Sequence, residues 1–585
     1  MQRSLKNLAE TEFDLLIIGG GAFGAAAAWD AALRGLSVAL VEREDFGGGA
    51  SAECFKMVHG GIRYLQHADL ARLRSSCAER SAMLTIAPHL VKPLPIAIPT
   101  YGWGKQGKAF LAAGMSLYDL LSLDRNRGIR DAARQIGGTR FLSRANTMQL
   151  FPGLDAQALT GAAVFEDGQM YNPARLVLAF VKSAASRGAQ VANYAEATGF
   201  LWNGNRVCGA RVRDRLDDCE CDVRAKLVLN GAGPGAEYLL QGNPKFGAWR
   251  RGVFSRDAYF IVDRPPTSAY ALAIPGHSRD KDALLSRSAR HMFAVPWRNR
   301  TLIGVWHRVV AGHPDSLGID HAELDTWAAE INSVYPSLAL RPEDVVFANF
   351  GLVPFGDPKS TSSELSFGKE SRFIDHRRQH GIEGLVTLIG IRFTTARADA
   401  ATALNLLLQQ MPKPPAPAPT THTALAGGDV ESFDAMLAQL RATQGAGLSE
   451  ATTLALAQNY GTEASALLSA RDAADGERRT LGASHTLHAE ITHAVAREMA
   501  QRLEDVILRR TDLGAAGHPG HGLIVTVATR MQQLLGWSDG RCQEEIASTQ
   551  SNLARHHAID RIVPEGDTVS VADMRGGPSK EACSK

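Results

Sequence analysis

Between Lys56 and Leu65 the chain reads Lys-Met-Val-His-Gly-Gly-Ile-Arg-Tyr-Leu, crowding an amine, an imidazole, a guanidinium and a phenol around a pair of glycines. His59 is the one group here whose ordinary pKa lies near neutrality, which makes it the candidate to take a proton from a substrate hydroxyl. Lys56 and Arg63 bring positive charge suited to an anion. A lone histidine is more often satisfied structurally than catalytic, and Arg63 alone could be a surface ion pair, so the elements around this stretch decide its meaning.

Those elements begin at Phe13. Phe13 to Ile18 is a short apolar run suited to a buried parallel strand, and it enters Gly19-Gly20-Gly21-Ala22-Phe23-Gly24, which fits G-x-G-x-x-G. In such a loop Gly19 permits the tight turn, Gly21 lets the backbone approach a pyrophosphate, and Gly24 lets the next helix pack on the strand. Ala25 to Leu33 is helix-prone, so its N-terminal amides would face the phosphates. Ser37 to Val41 forms a second apolar strand, and Glu42 follows it, eighteen residues after Gly24, placed to accept ribose hydroxyls. Strand, loop, helix, strand and acid in that order predict a dinucleotide site.

At 585 residues the chain exceeds one core, and two or three domains are expected. Hydrophobic content of 45% with 21% charged residues is globular, and a net charge of +2 argues against a nucleic-acid partner. The seven cysteines include no C-x-x-C pair, Cys219 and Cys221 stand too isolated for zinc, and no metal site is expected. This usage fits a reducing, cytoplasmic setting, and the polar first dozen residues show no secretory signal. The longest apolar run, Leu15 to Trp29, is Gly/Ala-rich, belongs to the dinucleotide motif and is cut by Asp30.

Residues 1 to about 410 alternate short apolar strands with helical patterns, the mark of a doubly wound or mixed α/β fold. Strand candidates include Ala225 to Leu229, His291 to Val295, Thr301 to Val305 and Leu385 to Ile389. Residues 411–429 open with a proline-rich run that reads as a linker. From 430 to 557 the apolar positions recur with helical period, best seen at Ile491, Val495, Met499, Leu503, Val506 and Ile507, so an all-helical domain is expected. Within it Glu490 and His493 form an E-x-x-H pair without a second copy, which favours a structural role over iron ligation. Residues 558–585 are polar and Gly/Pro-rich, with the composition of a disordered tail. Lys105 to Leu123 places Phe110, Gly114, Leu117, Tyr118 and Leu121 on one helical face, with Lys105 and Lys108 before it and Arg125, Arg127 and Arg130 beyond. Such a helix either packs on the core or lies peripherally on a membrane.

Four motifs in order resemble the FAD-dependent glycerol-3-phosphate dehydrogenases, respiratory flavoenzymes that oxidise glycerol 3-phosphate to dihydroxyacetone phosphate. They are the GGGAFG loop with Glu42, the KMVHGGIRYL stretch, Asn230-Gly231-Ala232-Gly233-Pro234, and Gly390-Ile391-Arg392-Phe393-Thr394-Thr395-Ala396-Arg397. The helical stretch from Glu490 to Leu513 is similar to the family's C-terminal domain. The resemblance implies an FAD-binding Rossmann-like domain, an interleaved mixed-sheet substrate domain and an all-helical C-terminal domain. It implies that Gly19, Gly21, Gly24 and Glu42 hold the ADP half of FAD, that Ala197 touches the adenine and that Gly233 meets the pyrophosphate. Ser51, Lys56 and His59 would lie by the isoalloxazine, Arg392, Phe393 and Thr394 would close over it, and Arg63 would point into the substrate pocket. His59 would then either remove the hydroxyl proton or hydrogen-bond the flavin.

The departures fall in the pocket. The family's G-V-R-P is here Gly351-Leu352-Val353-Pro354, which loses a phosphate-binding arginine. Its G-S-H becomes Asp257-Ala258-Tyr259, its T-T-D becomes Val305-Trp306-His307, and Arg392 stands for a lysine. These changes make Tyr259 and His307 candidate bases, with Trp306 and His307 expected on a reshaped pocket wall. The substrate class is then a polyol or polyol phosphate, the acceptor a quinone or another oxidant, and a homodimer on the cytoplasmic membrane face is compatible with the family. Two other readings use the same residues: a flavin-dependent amine or amino-acid oxidase, and a flavin-binding scaffold without catalysis.

Overall fold

The computed structural model describes the whole chain except residues 104–106, 250–251, 253, 276–290, 311–317, 355–370, 446, 470–475 and 557–585. The expected tail and Lys105 lie outside the described residues.

The first sheet is built around strand Glu12–Ile18, whose apolar residues are almost wholly buried. Strands Val38–Val41 and Glu220–Asn230 flank it in parallel, pairing Ile18 with Val41 and with Asn230, and strand Leu385–Ile389 extends the sheet beyond Asn230. Helix Ala22–Leu33 packs on this sheet through a run of alanines and Trp29. Parallel strands buried on both faces are expected to be apolar, and the buried stretches Leu15–Ile18, Val38–Val41 and Leu227–Leu229 are. The strand candidates at 225–229, 301–305 and 385–389 all fall inside observed strands, as does the one at 291–295.

The second sheet is mainly antiparallel. Its order runs Val345–Pro354, Phe254–Val262, Arg300–Val310, His291–Trp297, Ala271–Pro275, Val91–Tyr101, Leu159–Met170 and Met57–Val58. The chain passes between the two sheets several times, so the domains are interleaved.

Beyond Leu408 the regular elements among the described residues are helices. This helical part docks through buried ion pairs. Arg510 donates to both carboxylate oxygens of Asp45 at 2.6 and 2.7 Å, both side chains being fully buried. Arg175 meets Glu498 at 2.6 Å and Tyr194 donates to Asp505 at 2.6 Å. Asp45 lies just past the Glu42 strand, so the helical part is fastened directly to the dinucleotide motif.

Glu490 and His493 turn to different partners: Glu490 accepts from the Leu487 amide and the Tyr460 hydroxyl, while His493 Nε2 lies 3.4 Å from Glu498. The amphipathic stretch forms helix Lys108–Leu121, rotated from the expected face. Tyr118 is buried and bonded to Arg80, because Leu111, Met115 and Tyr118 form the inward stripe. The outward stripe is Phe110, Leu117 and Leu120, continued by Leu123 and by Trp103, which is 96% exposed. No helix among the described residues is long and apolar enough to cross a membrane.

Candidate active site

Both sheets and the helical part line one cavity of about 1280 Å³. The cradle side comes from the glycine loop. Gly19 sits at φ +103, and a Cβ there would come within 2.7 Å of Ala232 and Gly231. A Cβ on Gly24 would lie 1.8 Å from the Gly19 carbonyl oxygen, so this position brings helix onto strand and does not itself line the cavity. Glu42 is on the wall, its carboxylate accepting from the Gly20 amide at 2.6 Å and the Glu44 amide at 2.9 Å. Ser51 Oγ accepts from the Ala22 amide at 3.0 Å, tying the 49–51 turn to the start of the helix. Ala197, from strand Ala195–Asn203, and Gly233, at φ +56, also face the cavity.

The opposite wall is made by strands Phe254–Val262 and Val345–Pro354, where alternation puts Asp257 and Tyr259 beside Gly351 and Asn349. Val353 is on the same wall. Lys56 reaches across from its loop to Tyr259, Nζ to Oη 2.5 Å, and also lies 4.9 Å from the Trp297 ring. Both side chains are buried. Burial pushes the Lys56 amine down to about 8 and the Tyr259 phenol well up.

His59 stands between the walls, half exposed, with Nδ1 3.5 Å from the buried Asp167. Asp167 is itself fixed by Arg80 at 2.9 Å and by the Gly60 amide at 2.6 Å, and the His59 amide donates to Thr394 Oγ1. An oriented imidazole of this kind can bind or move a proton at its other nitrogen. Arg392 donates to Tyr64 Oη at 2.7 Å and to Ser76 Oγ at 3.2 Å, and with Phe393 and Thr394 it borders the cavity.

Three expectations are corrected here. Arg63 is exposed on the short 3₁₀ helix Ile62–His67 and is not on the cavity wall, because the left-handed turn at Gly61 (φ 80°) redirects the chain. Trp306 pairs with Ala258 and packs on the opposite face of the sheet, against the core around Phe260 and Trp327. His307 reaches the wall indirectly, through Asp257 at 2.7 Å, a carboxylate also held by Ser255. Asp167 and Asn349 are site residues that motif reading missed. A signal for Asp167 was present: Glu166 and Asp167 directly follow the apolar run Ala162–Phe165 inside the strand Leu159–Met170.

The cavity fits a flavin dinucleotide. It exceeds the several hundred Å³ usual for a small ligand, Gly19 and Gly24 leave no room for a Cβ, and two buried polar atoms on its wall, Asn349 Nδ2 and Glu53 Oε2, have no hydrogen-bond partner among the described residues. Glycine cradle, the acid Glu42 at the end of the second strand and the enclosed second wall together fit a flavin-dependent oxidoreductase. The family model for FAD dependent oxidoreductases matches residues 14–393, and that for the C-terminal domain of alpha-glycerophosphate oxidase matches 418–542. A glycerol-3-phosphate dehydrogenase of Mycobacterium leprae is 31% identical over 584 residues, covering 98% of this chain and 93% of the relative. The human mitochondrial glycerol-3-phosphate dehydrogenase is 31% identical, covering 93% of this chain and 73% of the relative. The Bacillus halodurans glycerol-3-phosphate dehydrogenase, whose crystal structure is complexed with FAD, shares the fold at a TM-score of 0.72 and 22% identity, over 95% of this chain and 97% of that one. The chain belongs to the FAD-dependent glycerol-3-phosphate dehydrogenase family.

Proposed function

We propose that this protein oxidises the secondary alcohol of glycerol 3-phosphate, or of a closely related polyol phosphate, and passes the electrons to a quinone or another acceptor. The observation that carries the reading is the single cavity in which the glycine cradle faces His59, Lys56 and Tyr259, in a chain similar to glycerol-3-phosphate dehydrogenases from end to end. Gly19, Gly21, Glu42, Ser51, Ala197 and Gly233 would hold FAD, with Arg392, Phe393 and Thr394 beside its ring system. When bound, FAD supplies the two-electron acceptor for the carbinol hydride. The chain supplies orientation, a water-poor site and a place for the hydroxyl proton: His59 braced by Asp167, or the phenol of Tyr259. Match to a glycerophosphate-oxidase C-terminal domain favours an alcohol over an amine donor.

Val353 leaves this wall without the arginine expected of the family, so phosphate should bind about one to two decades more weakly than with a full set of charge-assisted partners. The exposed stripe of Phe110, Leu117, Leu120, Leu123 and Trp103 suits peripheral contact with a lipid surface, where a quinone would be reached. Flotation with anionic vesicles tests this: Leu117→Asp with Leu120→Asp should release the protein.

The deciding experiment is an anaerobic visible spectrum of the purified flavoprotein. Bleaching by glycerol 3-phosphate supports the reading, bleaching only by an unphosphorylated polyol moves the substrate, bleaching by an amine or amino acid replaces the donor class, and bleaching by none leaves a flavin-binding scaffold.

A further inference from the structure

Lys56 is paired with Tyr259, which stands where the resemblance implies the histidine of G-S-H. Lys56 is a buried amine with no carboxylate within ion-pair distance among the described residues. Its head group instead contacts the Tyr259 hydroxyl and the faces of Tyr259 and Trp297, at 5.1 and 4.9 Å from the ring centroids. Lys56 itself sits at φ +55, a left-handed conformation that an ordinary side chain adopts only when its surroundings impose it. An ammonium kept from water without a counter-ion is costly, whereas a neutral amine accepting from a phenol is not. Directly opposite Tyr259 on the adjacent strand is Asn349, buried, its side-chain amide nitrogen without a hydrogen-bond partner among the described residues. Paired positions on antiparallel strands bring side chains within about 5 Å, so Tyr259 and Asn349 can meet the same small ligand.

The geometry points to Tyr259 as the catalytic base of this enzyme, with Lys56 as the residue that takes the phenol proton and Asn349 as a donor to the reacting oxygen. This rests on the alcohol-oxidation reading above. In the step, the carbinol C–H bond breaks and its hydride, carrying the electron pair, goes to FAD, which is the oxidant. The substrate O–H bond breaks, its proton moves to Tyr259 Oη, the proton of Tyr259 moves to Lys56 Nζ, and the carbon becomes a carbonyl. The neutral amine is the competent form, so the rate rises with pH as Lys56 loses its proton, through about 8. Groups that tune this are Glu53 and Cys54 on its own loop, which favour the charged form, and Arg298 beyond the 291–297 strand, which opposes it.

The holoenzyme tests this by two readouts. The visible spectrum of bound FAD, without substrate, should titrate near 8 in the wild type and lose that titration in Lys56→Met. A spectrum flat through this range, or one unchanged by Lys56→Met, overturns the assignment even if no substrate is known. In stopped-flow reduction by glycerol 3-phosphate, Tyr259→Phe should lower the limiting rate on the order of 10²-fold with half-saturation little moved. Lys56→Met should abolish the rise with pH, and Tyr259→His should move it down toward the histidine range. A rise that survives Lys56→Met but vanishes in His59→Asn overturns the proposal in favour of His59. Failure of any polyol phosphate to bleach the wild type would sink the substrate reading, while the substrate-free titration still decides the Lys56 assignment.

Discussion

The glycine cradle and the antiparallel wall face each other across one cavity, yet they are built by opposite means. The cradle works by removing side chains: Gly19 and Gly24 let backbone meet backbone at distances no Cβ allows, and Glu42 is held by the Gly20 amide of the glycine loop and by the Glu44 amide. The wall works by placing them: Asp257, Tyr259, Asn349 and Val353 are presented by alternation on two paired strands. A cradle tolerates almost no change of residue type, because its constraint is steric. A wall can exchange one side chain for another without disturbing the sheet, and this is where the resemblance places the departures from the family's motifs. Substrate preference can therefore drift while the cofactor site stays fixed.

Substitutions on either side should break or sharpen this contrast. The largest effect belongs to Gly24→Val, whose branched side chain collides with the Gly19 carbonyl; it should yield protein with no bound FAD, read from the absent flavin absorbance. Arg510→Met comes next. It removes the bidentate partner of buried Asp45 and leaves that carboxylate to Arg509 and Asn193, so the cost should fall at the lower end of the about 3–5 kcal/mol for breaking a buried pair, measurable as a lower denaturation midpoint. If FAD is lost in parallel, the helical part supports the cradle as well as covering it.

On the wall, Val353→Arg should leave the fold and FAD content intact and lower the KM for glycerol 3-phosphate by about one to two decades, equivalent to roughly 1.5–3 kcal/mol. The KM for an unphosphorylated polyol should not improve; equal improvement for both would show that the new arginine does not meet the phosphate. The smallest effect is expected at Gly233→Ala. Beyond its chain neighbours no atom of the described residues lies within 4 Å of the added methyl, so the positive φ is what opposes it, at about 1 kcal/mol, seen as a several-fold weaker FAD affinity on titrating apoprotein.

Legibility in the sequence follows the same division. The strand, loop, helix, strand and acid of the cradle lie within about thirty consecutive residues, so order and spacing were enough to read them. Lys56, His59, Ser51 and the Arg392–Thr394 stretch were also found by motif and do border the cavity. Arg63 sits in the same motif and was misplaced, because a single left-handed glycine turns the chain outward between His59 and Arg63. Trp306 and His307 are neighbours in sequence on one strand, and alternation sends them to opposite faces.

By itself the sequence determined the dinucleotide cradle, the change to a helical C-terminal part and the family, since each depends on local spacing or on motifs in linear order. Only the tertiary structure decided which groups lie together: Asp167 behind His59, Asp257 behind His307, and Tyr259 beside Lys56 and opposite Asn349. These partners lie from 50 to over 200 positions apart. Alternation tells which residues share a face of a strand, but which strands become neighbours, and in what register, is settled by the packing of the two sheets against each other.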